Sequence, residues 1–108
     1  MANPEHVERL TEGRIAWNLW RDEHPKVEPD LSEVDLCEAH LWGVDLRGAD
    51  LRGADLRWAD LQSALLNGAA LVEADLRGAY LNGANIKWAN LVRADLAEAE
   101  LIGADLNR

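Results

Sequence analysis

The chain has 108 residues, one cysteine, three prolines and no phenylalanine, and carries a net charge of −9 at pH 7. That length is one domain, and 48% hydrophobic with 29% charged residues is not the make-up of a disordered acidic tail. The acidic balance argues against a basic nucleic-acid-binding surface, and no apolar run approaches the ~20 residues of a membrane span.

The opening MANPEHVERLTEG has no basic region followed by an apolar one, so it does not read as a signal peptide. Asn3-Pro4-Glu5 reads instead as an N-cap, a first-turn proline and an acidic first-turn residue. It predicts one helix running to about His24, with Pro25 stopping it. Val7, Leu10, Ile15, Trp17, Leu19 and Trp20 form its apolar stripe. The lone Cys37 excludes an intrachain disulfide and fits a reducing compartment, so the expected location is cytoplasmic.

From Leu31 onward a large aliphatic residue recurs every five positions, without a miss, through Leu106. That is sixteen pentads. Two residues before each stands a small side chain, Ala in thirteen cases, with Pro29, Val34 and Val44 as the exceptions. Asp or Asn lies between them in eleven of the sixteen. A period of five matches neither the helix nor the strand, so a straight element would scatter these leucines around its axis. The chain must bend once per pentad to return every Leu and Ala to a common interior. Glycine at seven positions, two after the central Leu, and the Asp or Asn before it supply turn chemistry. Repeated bends of one hand make a solenoid in which each coil touches only its neighbours.

GVDLRGADLRGADLRWADL resembles the A(D/N)LXX consensus of the pentapeptide-repeat family, and the likeness extends over residues 29–108. It implies an all-β solenoid: a right-handed quadrilateral β-helix with four pentads per coil and about four coils. At ~4.8 Å per coil the tower is roughly 19 Å tall. ERLTEGRIAWNLWRDEHPKVEPDLS also resembles a leader found before many bacterial tracts of this kind. Residues 1–28 are then an N-terminal α-helical cap whose wedges are Trp17 and Trp20, since an uncovered first coil exposes its apolar layer and its backbone edge. A partner-binding amphipathic helix is the other reading.

Catalytic chemistry is hard to find. There is no phosphate loop, no helical zinc pair, no CxxC and no Gly-x-Ser-x-Gly. His6, His24 and His40 are scattered, so no metal site is expected with Cys37, and no cofactor either. A regular convex tower offers no cleft to split two carboxyl pKa values. The expectation is a protein that is not an enzyme.

Placing the pentads on four faces aligns residues twenty apart. Asp35, Asp55, Asp75 and Asp95 then form an acidic ladder beside Arg57 and Arg77. Three readings stand: each Asp caps its own turn while Arg offsets the charge, the ladder imitates nucleic-acid phosphates, or it bridges calcium. Some members of the family resemble B-DNA in width and charge and occupy the DNA-binding saddle of DNA gyrase. Against that likeness, four coils are short, no dimerising module follows Leu106, and two arginines interrupt the ladder. Leu65, Val72, Trp88 and Val92 take positions where polar residues are usual and make a candidate interface, or else scattered surface apolars. The expected partner is a second copy, a dimer through the C-terminal half, with no direct nucleic acid and no membrane. A gyrase-directed phosphate mimic is the alternative.

Overall fold

A pentad that bends on itself must place five backbone N–H groups, and the repeat does so by one rule. In the computed structural model, which describes residues 1–107, Leu51 N–H donates to Ala70 O at 2.8 Å and Gly53 N–H to Val72 O at 2.9 Å. Ala54 N–H closes a tight turn onto Leu51 O at 3.0 Å, and Asp55 N–H reaches back to Val34 O at 3.0 Å. The fifth donor, Arg52 N–H, is taken by the Asp50 carboxylate at 3.1 Å. Every donor is answered. The Asp of the repeat is therefore a turn device, an Asx turn closing two residues on. Where Leu65 and Ala70 replace it, Asn67 and Val72 N–H have no such acceptor.

Parallel bridges join residues twenty apart throughout, from Asp30 with Asp50 to Asn85 with Asp105. They are isolated bridges, with no extended strand among the described residues; four bends separate each residue from the one stacked on it. The Leu and Ala columns fill the interior: Leu51, Leu56, Leu61 and Leu66 have no exposure, nor do Ala54, Ala59 and Ala64. Each buried Leu contributes roughly 1.5–3 kcal/mol by transfer from water.

The residue two after each central Leu lies in the left-handed region, with φ between 58° and 72° from Glu33 to Gly103. Eight of these are not glycine and each costs about 1–2 kcal/mol. The inter-coil bond at that residue, as in Glu73 N–H to Val92 O at 2.9 Å, holds the conformation. Gly78 has a second reason to be glycine. Three carbons of the Trp58 ring sit where its Cβ would be. Gly48→Ala meets nothing within 4 Å and isolates the backbone cost, about 1–2 kcal/mol. Gly78→Ala is expected to lose at least about 1 kcal/mol more by overpacking. Urea midpoints that shift equally for the two variants would mean that Trp58 makes no packing contribution.

The N-terminal segment is two helices, not one. α1 spans Pro4–Thr11 and α2 spans Arg14–Glu23. Asn3 caps α1 by accepting Glu5 N–H at 2.9 Å, while Gly13 at φ 101° breaks the run. The break resets the register, so the single stripe expected from the sequence does not hold. Ile15 and Leu19 are 77% and 58% exposed, and α2 buries Trp17, Trp20 and Arg21 instead.

This layer answers the first coil's edge with side chains. Trp17 Nε1 and Arg21 Nη1 both donate to Asp45 O, at 2.8 and 2.9 Å. Arg21 Nη2 donates to Arg47 O at 2.7 Å. Asn18 accepts Asp45 N–H and donates to Gly43 O. On the neighbouring face His6 Nδ1 accepts Asp30 N–H at 3.0 Å. Burial lowers the Arg21 pKa even with the Asp45 carboxylate 3.9 Å away, so the guanidinium sits there at a desolvation cost that its two carbonyl hydrogen bonds offset only in part, and its Nε is left without a partner. Coverage is uneven: Leu31 and Leu46 are fully buried, whereas Val34, Leu36 and Ala39 are half-buried. No helix of the described residues is long and apolar enough to cross a membrane.

Candidate functional site

Among the described residues of the repeat tract, the interior is uniform and the outer faces carry the side chains that vary. The acidic ladder is stacked as the twenty-residue offset requires, Asp35 on Asp55, Asp55 on Asp75 and Asp75 on Asp95. It is not a bare anionic stripe. Arg57 grips Asp55 with two bonds, at 2.9 and 2.7 Å, and reaches Asp75 at 3.8 Å. Arg77 repeats the pattern one coil on, gripping Asp75 and reaching Asp95 at 3.8 Å. Hydrogen bonds from these arginines hold the Asp55 and Asp75 carboxyls below the ordinary range and raise the guanidinium pKa values in return. Each Asp also accepts the N–H two residues on, as Asp35 does from Cys37 and Asp95 from Ala97. The face is a ribbon of alternating charge.

Cys37 stands in the arginine column and is a free thiol whose pKa burial and the Asp55 charge push up. Among the described residues no group of three His, Cys, Asp or Glu is arranged to hold a metal ion.

The four apolar candidates separate. Trp88 and Val92, 67% and 55% exposed, line one concavity of about 540 Å³ together with Leu106, itself 51% exposed. Val72 is half-buried and lines a different concavity beside Arg52 and Glu73. Leu65 is half-buried between Asp45 and Asn85 in the bridge column and lines neither. Trp88 holds φ at 59°, a conformation that favours glycine, with its ring mostly in solvent. The residues below it in the same column, Gly48 and Gly68, are both glycine. Leu106 has no signal in the sequence because its place on the Leu grid marks it as interior; in the last described coil that position is exposed. Trp17 and Trp20 lie in the helical layer, 0% and 8% exposed, and belong to the cover of the first coil.

The chain resembles known proteins along most of its length. The family model for pentapeptide repeats matches residues 30–68, 59–96 and 89–108, in eight copies. A solved pentapeptide repeat protein from Nostoc Pcc 7120 shares 37% identity at a TM-score of 0.73, over 82% of this chain and 74% of that one. One from the Arabidopsis thaliana thylakoid lumen is 35% identical over 69% of this chain and 52% of its own, with a TM-score of 0.43. One from the cyanobacterium Cyanothece 51142 is 29% identical over 76% and 67%, with a TM-score of 0.34. No curated protein matches the sequence.

Proposed function

The chain belongs to the pentapeptide-repeat family, and on that premise we propose that it is a non-catalytic binding and structural module acting through its outer faces. Residues 29–108 are read as a right-handed quadrilateral β-helix of about four coils, covered by residues 1–28. The family likeness supports the hand, and the twenty-residue offset of the bridges supports four pentads per coil. Arg108 lies outside the described residues. The module acts in the cytoplasm, where a lone thiol such as Cys37 stays reduced.

Its partner is a second copy, met through the C-terminal half. One observation carries this: Trp88, Val92 and Leu106 gather three large exposed apolar side chains at one concavity. Contiguous exposed apolar surface on a soluble protein marks an interface, and Trp is the side chain most enriched at the centre of such contacts. A two-fold contact places the patch on itself and closes as a dimer. A topoisomerase-directed phosphate mimic draws on the net charge of −9, but the ladder's pairing with Arg57 and Arg77 weighs against it.

Sedimentation of the intact chain is expected to show a dimer at high micromolar concentration, and Val92→Glu a folded monomer. A monomeric intact chain overturns the proposal.

A further inference from the structure

A second concavity, of about 590 Å³, is lined by Glu38, His40, Trp58, Asp60, Gln62 and Tyr80, well away from Trp88 and Val92. Three coils build it. His40, Asp60 and Tyr80 are stacked by parallel bridges, with Trp58 beside them. Trp58 is a fixed platform, because its ring is laid across Gly78 while the residue remains 49% exposed. Tyr80 adds a second exposed ring.

His40 and Gln62 line it too, but its two carboxylates, Glu38 and Asp60, have no Lys or Arg ion pair among the described residues. Asp60 accepts only from Gln62, whose N–H and Nε2 both bond Oδ1 at 3.1 Å. Glu38 has no ion pair among the described residues; Arg57, whose carbonyl accepts the Glu38 N–H, is committed to Asp55 and Asp75. Elsewhere the chain lays its own guanidinium groups over indole rings, Arg14 over the exposed Trp42 at 4.8 Å and Arg9 over the buried Trp20 at 5.2 Å. Trp58 has the ring and two carboxylates nearby but no such cation among the described residues.

We infer that this concavity binds the guanidinium group of an arginine carried on a basic peptide segment. A planar guanidinium stacks on an indole face and donates two parallel bonds to one carboxylate, which an ammonium does not. The cation lies over Trp58 and Tyr80, and Asp60 and Glu38 accept its N–H groups. The net charge of −9 draws a basic segment towards the protein.

The test is a titration of the intact ¹⁵N-labelled chain with an acetylated, amidated Gly-Arg repeat peptide, beside a Gly-Lys peptide, arginine amide and maltotetraose. The expected result is saturable shifts at the Trp58 indole N–H and the Gly78 amide, with the Arg peptide bound about tenfold tighter than the Lys peptide. Asp60→Asn keeps the turn, since Asn85 and Asn90 make the same bond at equivalent positions, and is expected to weaken binding about tenfold. Trp58→Leu is expected to weaken it at least as much. Shifts spread along the Asp35–Asp95 face with none at Trp58 overturn the inference, as do affinities unchanged in both variants. So does a response of Trp58 to maltotetraose and not to arginine. Equal affinity for arginine amide and the peptide overturns the assignment to a peptide segment. Val92→Glu is expected to bind the peptide normally, so loss of self-association leaves this site standing.

Discussion

Leu76→Asp is expected to leave the chain unfolded at room temperature, while its neighbour Arg77→Ala folds with a small change in melting temperature. Leu76 is 1% exposed in the interior column, one coil from Leu56 and one from Leu96. Replacing it removes roughly 1.5–3 kcal/mol of transfer energy. A carboxylate there has no donor, and its desolvation adds several kcal/mol more. Against a domain stability of about 5–15 kcal/mol, that sum exceeds what a small solenoid tolerates. Arg77 projects outward, half exposed, and what it loses is an exposed ion pair with Asp75. Circular dichroism melts of the two variants decide the matter. Two similar curves would place the inward and outward positions wrongly.

Trp17→Ala is expected to cost about 3–5 kcal/mol, the range for removing a large buried aromatic. Trp17 has no exposure, packs on Trp20 with ring centroids 5.1 Å apart, and gives its indole N–H to Asp45 O. Its loss opens a cavity in the core it shares with the first coil, though Arg21 still donates to that carbonyl. The control is Ile15→Ala in the same helix. At 77% exposure it is expected to change stability by less than about 0.5 kcal/mol. Urea midpoints read the difference. Equal losses at the two positions would return Ile15 to the buried stripe and contradict the break at Gly13.

The helical layer shows where sequence reasoning failed and why. Val7 to Trp20 reads as one stripe because each half carries apolar residues at helical spacing. A glycine inside a helix costs only about 1 kcal/mol, so Gly13 alone does not announce a break. What makes the break favourable is the fit of α2 on the first coil, which turns Trp17, Trp20 and Arg21 inward together. Nothing in the sequence singles out Asn18, Arg21 or His6 as partners of the first coil, for a related cause. The carbonyls and amides they satisfy become an edge only after the coil has formed. By contrast, the contact between Trp58 and Gly78 was readable. The two are twenty positions apart in one column, and that offset applied to the turn position would have found it.

The sequence by itself determined the coil. The pentads repeat one set of demands: a large aliphatic and a small side chain for the interior, in eleven of the sixteen an Asx side chain for the orphan N–H, and in the fifteen from Glu33 to Gly103 a residue held at positive φ. Each demand is local or recurs at a constant offset, so one period carries the whole tract. Tertiary structure alone decided the ends and the surface: how two short helices imitate a missing coil, which exposed apolar residues share a concavity, and which carboxylates are paired with arginine. Those outcomes depend on side chains brought together from different coils and from the helical layer, where no period constrains the match and only packing and hydrogen bonding choose.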